Sequence, residues 1–379
     1  MATQESETDK LFLWKALKHF IILVSRRFPR LTNLILVVVS FFIVICCVEI
    51  CCYLLYQKKI LHDPKKSYTQ GYFQYDSVLG YKPKACNEIS STLIADKKTI
   101  YDVIYTIDMF HRRFTPVTHK EKRTKFALFF GCSCTFGEGV ENDETFPYYF
   151  SEFSPDDMPY NYGFHGYGPQ EMLAKLEDDS IRKEVNEYQG IAVYLYLPNV
   201  HEQRAIGNML VFNAWGKTMP FYMIDSRDNL VRHGNFLSGR PFISNLYRVL
   251  GKSYFIKYFD IQLPPQITDA HYKLTARIIE EARNAFDEKF MNSRFYVVIY
   301  PNDTTNNIIP YLKKARIKYF DYSKLFDSSL EQYYIAGDGH PTPESYRTLA
   351  KQLSEDILKL TNSEPKALFS GDFVTSAKK

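Results

Sequence analysis

A short apolar run that ends in a glycine-rich turn limits what this chain can fold into more than any other stretch. Residues 126–130 read FALFF, a length and composition that predict a strand buried on both faces, as in a parallel sheet covered by helices. Gly131 ends the run, and Ser133 follows two residues later. Ligands of open α/β sheets bind at the carboxyl ends of the strands, so Ser133 is predicted to lie where a substrate would bind.

Strand and helix patterns alternate downstream of this run. Further strands are predicted at 160–163, 190–197, 294–300 and 317–322, and helices at 145–153, 169–176, 271–290 and 344–360. This alternation predicts a three-layer α/β/α sandwich with a mainly parallel, five-stranded sheet. Residues 204–265 interrupt the alternation, and the turn-prone sequence at 225–229 predicts a hairpin within this insertion.

The N-terminal part of the chain contains one long apolar stretch. Residues 31–56 carry a single charge, Glu49, and as a helix would span about 39 Å, enough to cross a bilayer. No cleavage site of a signal peptide is evident, so we predict an uncleaved anchor. Lys and Arg residues are more frequent before the span than after it, which favours a cytoplasmic N-terminus and an extracytoplasmic main domain. Glu49 is expected either to snorkel or to contact a helix of a membrane-protein partner.

These patterns divide the chain into five parts. We predict an N-terminal cytoplasmic or interfacial segment (1–30), a transmembrane helix (31–57), a linker with a small β-rich lead-in (58–120), the α/β domain (121–362) and a tail (363–379). The net charge is only +4, without a cluster of basic and aromatic residues, so no nucleic-acid partner is expected. No cysteine spacing matches a metal site, and Cys132 and Cys134, on a segment expected to be extended, are predicted to be buried packing residues.

The turn after the first predicted strand also carries a motif. Residues 131–139 read GCSCTFGEG, which resembles the first block of the SGNH/GDSL hydrolase superfamily, GDSxTxGxG, with Cys132 in place of the usual Asp. The loop at 161–169 resembles the second block, in which the backbone N–H of Gly166 would join an oxyanion hole. Ordinary glycine-containing turns are the alternative for both loops.

Two later loops resemble the remaining blocks. Residues 196–201 retain Asn199, whose side chain would bind the oxyanion, but Leu197 and Val200 stand where the superfamily has Gly and Asp. Near the C-terminus, Asp338 precedes His340 by two residues instead of the usual three, a spacing that resembles a branch found in some polysaccharide O-acetylation proteins. Turn chemistry for Asn199 and Asp338 and a helix-entry role for His340 are the alternatives.

The resemblance implies a set of functional residues. Ser133 would be the nucleophile, His340 the base and acid, and Asp338 the carboxylate that orients His340. The oxyanion would be held by the N–H groups of Ser133 and Gly166 and by Asn199. Two other histidines, His165 and His201, fall on the same predicted face and are candidates for substrate binding. No cofactor and no metal are expected, because these residues match no known ligand spacing.

The expected function is therefore that of a membrane-anchored serine esterase or acyltransferase. The resemblance implies action on O-acyl esters, above all O-acetyl esters, of surface glycans or lipids, through an acyl-enzyme that hydrolysis and transfer share. The alternative is a non-catalytic protein that keeps the fold to bind glycan or to support a membrane complex. A lipid-modifying esterase is a third reading, and the oligomeric state is left open.

Overall fold

A computed structural model describes residues 14–16, 18–19, 27–302 and 307–363, so most of segments 1–30 and 363–379 lies outside the described residues. The strands are, in chain order, β1 Lys65–Tyr68, β2 Phe73–Asp76, β3 Gly80–Pro83, β4 Asn87–Ala95, β5 Lys98–Ile107, β6 Lys125–Phe130, β7 Asp157–Asn161, β8 Gly190–Tyr196, β9 Pro220–Ile224, β10 Leu230–Asn235, β11 Arg294–Ile299 and β12 Tyr319–Asp321.

The α-helices follow the same numbering by chain order. They are α1 Pro29–Lys59, α2 Ser133–Phe136, α3 Phe146–Phe153, α4 Pro169–Glu177, α5 Val200–Ala205, α6 Met209–Ala214, α7 Phe236–Gly239, α8 Pro241–Leu250, α9 Tyr254–Tyr258, α10 Asp269–Lys289, α11 Ile309–Lys314 and α12 Pro343–Ser363. The chain forms two compact units, Met1–Leu61 with Lys252–Ile261, and His62–Gly251 with Gln262–Lys379.

The first unit is built on the apolar helix α1. The helical stretch Pro29–His62 is long and apolar enough to cross a membrane, with a mean hydropathy of 3.1 over its most apolar part. By length and composition it fits a membrane span or a signal sequence. Glu49 accepts hydrogen bonds from the Ser253 hydroxyl and, at 2.7 Å, from the backbone N–H of Tyr254. The Glu49 carboxylate in the apolar helix therefore has hydrogen-bond donors within its own chain.

The second unit contains the predicted parallel sheet. Its five strands lie in the order β12-β11-β8-β6-β7, and every neighbouring pair is parallel. Strand β7, which follows β6 in the chain, lies on one side of β6 in the sheet, and the next strand, β8, lies on its other side. The carboxyl end of β6 is consequently the point at which the strand order reverses, which is where ligands bind in sheets of this type.

Helices cover both faces of the sheet, as the uninterrupted apolar run predicts. Residues 126–130 of β6 are all buried. Phe126, Leu128 and Phe130 face a cluster that includes residues of α4 and α10, and the alternate residues face a cluster built with α3 and α12. The predicted three-layer α/β/α sandwich with a five-stranded parallel sheet is confirmed, and the predicted hairpin in the insertion is formed by β9 and β10.

The lead-in before β6 is a set of antiparallel strands that packs on the sandwich. Strands β1, β4 and β5 form one sheet, and β2 pairs with β3. Tyr72, Ile89 and Tyr105 of the lead-in share a core cluster with Phe136 and Phe164, which lie in the segments that follow the carboxyl ends of β6 and β7. The lead-in thus packs directly against the loops in which the functional residues were predicted.

One arginine at the end of the lead-in holds the turn that follows Ser133. The Arg113 guanidinium is buried and donates to the backbone carbonyls of Phe136 at 3.2 Å, Gly137 at 2.5 Å and Val140 at 2.7 Å. Its guanidinium carbon lies 4.3 Å from the centre of the Tyr105 ring. The Phe136 carbonyl also accepts from Asn161 Nδ2 at 3.3 Å. The buried charge of Arg113 is thus compensated by the dipoles of three backbone carbonyls.

We expect the variant Arg113→Met to lower the free energy of unfolding by about 3 kcal/mol, because it removes the guanidinium that donates to the carbonyls of Gly137 and Val140. Urea unfolding of the full chain in detergent, followed by Trp215 fluorescence in a Trp14→Phe background, measures this. The exposed Arg227→Met is the control and should stay within about 0.5 kcal/mol of the parent. An Arg113→Met variant as stable as this control would contradict the role assigned to the guanidinium.

Candidate active site

Ser133 lies at the carboxyl end of β6, as predicted, at the first position of the short helix α2. The chain turns sharply there, because Gly131 has a φ of +148° and a Cβ on it would lie 2.2 Å from Thr135 Oγ1. The loop at 161–169 packs closely against helix α2, since a Cβ on Gly163 would lie 2.6 Å from the backbone nitrogen of Phe136. Cys132 and Cys134 are buried as expected, but Cys134 is helical, so the predicted extended segment is wrong there.

His340 and Asp338 lie on the loop before α12 and meet Ser133. His340 Nε2 is 2.8 Å from Ser133 Oγ, and His340 Nδ1 is 2.7 Å from Asp338 Oδ2. A tight turn explains how a spacing of two residues suffices: the N–H of Gly339 donates to Ile335 O, and the N–H of Ile335 donates to His340 O. Gly339 has a φ of +83°, a conformation that favours glycine.

A second carboxylate, which we did not predict, lies beside the same histidine. Glu138 is 3% exposed, and its Oε2 is 3.3 Å from His340 Nε2. The Glu138 carboxylate also accepts hydrogen bonds from three other groups: His165 Nδ1 at 2.7 Å, the Tyr68 hydroxyl at 2.7 Å and the Lys66 ammonium. The sequence contained one signal for it, since Glu138 is the sole charged residue in the stretch 126–140.

Lys66 of strand β1 joins the two carboxylates. Its Nζ lies 2.8 Å from Asp338 Oδ1 and also bonds Glu138. Glu138, Asp338 and His340 offer ligand atoms within 4.8 Å of one another, so this is where the described residues could hold a cation. The ammonium group of Lys66 already supplies a positive charge to both carboxylates, which is the charge that a buried acidic pair requires.

Asp338 and Glu138 stabilise the charged form of His340, and His340 stabilises theirs. Although burial alone would lower the pKa of His340, the carboxylates of Glu138 and Asp338 raise it above its ordinary value. Burial opposes ionisation of Asp338, but His340 and Lys66 lower its pKa overall. The pKa of Glu138 is likewise held well below its usual range, against burial, by His165, His340 and Lys66. The imidazolium form of His340 is therefore stabilised from two sides.

The two further histidines of the prediction have different surroundings. His165 lines the cavity beside Ser133, where its Nδ1 meets Glu138 and its Nε2 is 2.9 Å from the Tyr72 hydroxyl. His201 is fully buried, and its Nδ1 is 2.7 Å from the Tyr194 hydroxyl. The expectation that His201 contacts substrate is corrected, because its side chain is enclosed in the core behind the site.

The predicted oxyanion donors are only partly brought together. Gly166 lines the cavity with Ser133 and has a φ of +76°. Asn199 does not line that cavity; it precedes α5 in a left-handed conformation, and its Oδ1 accepts a hydrogen bond from the Tyr272 hydroxyl at 2.9 Å. The role of the Asn199 side-chain N–H2 therefore stays a prediction, and the N–H groups of Ser133 and Gly166 are the other predicted donors.

The cavity at Ser133 has a volume of about 550 Å³ and a mixed lining. Phe73, Tyr81 and Trp215 supply aromatic surface. Arg204 supplies a buried cation, which donates to Tyr167 O at 2.7 Å and has no ion pair with a carboxylate among residues 27–302 and 307–363. Trp215 and Arg204 belong to the insertion at 204–265, so this insertion contributes to the wall of the site.

Comparison with known proteins gives matches among solved structures alone. No protein-family model matches the chain, and no curated protein matches it. The similar structures include a member of the lipolytic G-D-S-L family from Veillonella parvula DSM 2008, with 12% identity over 63% of this chain and 100% of that one, at a TM-score of 0.34.

Two carbohydrate esterases are also similar. An acetyl xylan esterase from the rumen bacterium Butyrivibrio proteoclasticus has 9% identity, covering 71% of this chain and 68% of that one, at a TM-score of 0.35. A family two carbohydrate esterase from Cellvibrio japonicus has 9% identity, covering 79% and 99%, at a TM-score of 0.36. Similarity at this level indicates no shared substrate. Within the five-stranded parallel sheet, the residues of the first and last motif blocks, Ser133 and His340, meet at the end of β6.

Proposed function

We propose that this chain is a serine esterase or O-acyltransferase in which Ser133 is the nucleophile. One observation carries the proposal: the continuous pair of hydrogen bonds from Ser133 Oγ to His340 and from His340 to Asp338, at 2.8 and 2.7 Å. A nucleophile that touches a base, with the base held by a carboxylate, is the arrangement that activates a serine hydroxyl. A non-catalytic protein that only binds glycan would not need this geometry.

The reaction proceeds through an acyl-enzyme. Ser133 Oγ bonds to the ester carbonyl carbon while its proton passes to His340 Nε2. The C–O bond to the alcohol then breaks, and the alcohol leaves with the proton from His340. Water or an acceptor hydroxyl attacks the acyl-enzyme with His340 again as base. The acyl group departs as a carboxylic acid or as a new ester, and the Ser133 hydroxyl is restored.

The transition state develops a positive charge on His340 and a negative charge on the carbonyl oxygen of the substrate, and groups of the site face both. Asp338 holds the imidazole through Nδ1 and stabilises the imidazolium that forms. Glu138, close to Nε2, adds a second negative charge, and Lys66 limits the combined effect. The carbonyl oxygen, as it becomes an oxyanion, would accept from the N–H groups of Ser133 and Gly166.

Two features support a proposal for the substrate class: the lining of the cavity and the apolar helix. Aromatic rings at Phe73, Tyr81 and Trp215 suit the face of a sugar ring or an acyl chain. A membrane span at α1 would keep the enzyme beside a surface. We therefore propose O-acyl esters, in particular O-acetyl esters, of surface glycans or lipids, with the second unit on the extracytoplasmic side. Hydrolysis and transfer share every residue named above.

The first test is covalent labelling of the full chain in detergent with a fluorophosphonate probe, together with release of p-nitrophenol from p-nitrophenyl acetate. We expect both signals from the parent and neither from Ser133→Ala, because the labelled oxygen is absent. Asp338→Asn should lower kcat/KM by about 10³-fold or more, because the imidazole loses its orienting carboxylate.

Ser180→Ala, a substitution at an exposed serine, is the matched control and should label like the parent. A folded parent that neither labels nor hydrolyses the ester would overturn the catalytic proposal in favour of glycan binding. Labelling that survives Ser133→Ala would assign the nucleophile elsewhere.

Removing the charge of Glu138 and removing the charge of Lys66 should shift the pH profile of activity in opposite directions. Neutral imidazole is the base, so activity falls as the pH drops through the pKa of His340. Glu138→Gln removes a charge that raises this pKa, so the acidic limb of kcat/KM should move to lower pH. Lys66→Met removes a charge that lowers it, so the limb should move to higher pH.

The pH profiles of both variants and the parent, measured on p-nitrophenyl acetate, check this pair of shifts. Asp338, which bonds the other ring nitrogen, is unchanged in both variants and serves as the constant partner. Shifts in the same direction, or an acidic limb that stays in place in both variants, would contradict the assigned electrostatics.

Topology can be measured without any activity. We expect a tag at the C-terminus to be digested by protease added to the extracytoplasmic side of sealed vesicles and protected from the cytoplasmic side, because the Lys and Arg bias favours a cytoplasmic N-terminus. The reverse pattern would exclude surface glycans as substrates, while a chain released from the membrane would show that α1 is not retained as an anchor.

A further inference from the structure

Helix α8, within the insertion, has its apolar side outward. Phe242 is 82% exposed, Val249 67%, Leu246 43% and Ile243 40%. These positions are one, three and four residues apart, so they form a single stripe along the helix. The residues buried on the opposite side are Ser244, whose hydroxyl donates to Phe236 O at 2.6 Å, and Tyr247. The usual arrangement of a surface helix is therefore reversed.

The orientation of α8 is well determined by its contacts. The carbonyl of Tyr247 accepts from Asn213 Nδ2 at 2.9 Å, and the helix packs on α6 and α7. Ser244 and Tyr247 cannot turn outward without breaking these contacts. Single exposed apolar residues are ordinary on protein surfaces, but an exposed stripe that runs the length of a helix marks a surface that something apolar covers.

What covers the stripe is indicated by the residues that follow α8. Gly251 alone separates α8 from the segment Lys252–Ile261, which belongs to the same compact unit as the apolar helix α1. In that unit the backbone N–H of Tyr254 donates to Glu49, and the rings of Tyr53 and Tyr254 lie 4.8 Å apart. The chain thus passes directly from α8 into residues that pack along the helix able to cross a membrane.

We propose that the apolar stripe of α8 lies in the interfacial region of the lipid bilayer that α1 spans. An amphipathic helix with an apolar face and flanking cations is suited to the boundary between headgroups and acyl chains. Arg248 and Lys252, both exposed, supply the cations. The proposal rests on the membrane span at α1 but is independent of the ester chemistry.

This placement would give the insertion two tasks. It contributes Arg204, Trp215 and Thr218 to the wall of the cavity at Ser133, and it carries α8.

Fluorescence quenching by brominated lipids tests the proposal on the full chain reconstituted in phosphatidylcholine nanodiscs. In a background with Trp14→Phe and Trp215→Phe, single tryptophans are introduced as Leu246→Trp or Val249→Trp. Brominated acyl chains should lower the fluorescence of both at least about twofold, because an interfacial helix places them among the lipids. Acrylamide in the aqueous phase should quench them poorly.

Met291→Trp is the matched control, since Met291 is 75% exposed and lies in the turn before β11. It should be quenched by acrylamide and not by brominated lipid. If Leu246→Trp and Val249→Trp behave like this control, the stripe faces water and the proposal is overturned. Protection from both quenchers would assign the stripe to a second copy or another protein, and would overturn it equally.

Discussion

The arrangement of the site depends on burying two carboxylates next to one histidine. Glu138 and Asp338 both contact His340, and both have side chains that are almost fully enclosed. Such charges are tolerated in a protein interior only when donors surround them. Lys66 bridges the two, and His165 and the Tyr68 hydroxyl complete the shell of Glu138. The nucleophile and its base therefore require residues from the lead-in as well as from the sandwich.

This requirement explains why the lead-in is an integral part of the second unit. Strand β1 supplies Lys66 and Tyr68 to the carboxylates, and Arg113 binds the carbonyls of the turn that carries Glu138. Tyr72 then reaches His165 from the same side. The core shared with Phe136 positions these polar groups, so packing and electrostatics depend on each other. Removing the lead-in would expose apolar surface and leave the acidic pair without its lysine.

Local patterns in the sequence predicted the sandwich, and the resemblance of short motifs predicted that Ser133 and His340 meet, because each of these signals is contained in one short stretch. The composition of residues 126–130 is enough to predict a buried strand, and the conformational freedom of a glycine such as Gly339 is enough to predict a turn. Glu138, Lys66 and His201 depend on contacts between distant parts of the chain. Nothing near Lys66 indicates that an acidic pair lies 72 and 272 residues further on. The partner of Asn199 Oδ1, the Tyr272 hydroxyl, likewise lies in a distant helix.

The insertion shows how one added segment alters access to an otherwise ordinary α/β site. Thr218 and Arg232 donate to the carbonyls of Gly80 and Val78, so the insertion is tied to the β2–β3 hairpin of the lead-in. Between them these two segments supply Phe73, Tyr81 and Trp215 to the cavity. The sandwich thus provides the reacting groups, while the parts outside it shape what can approach them.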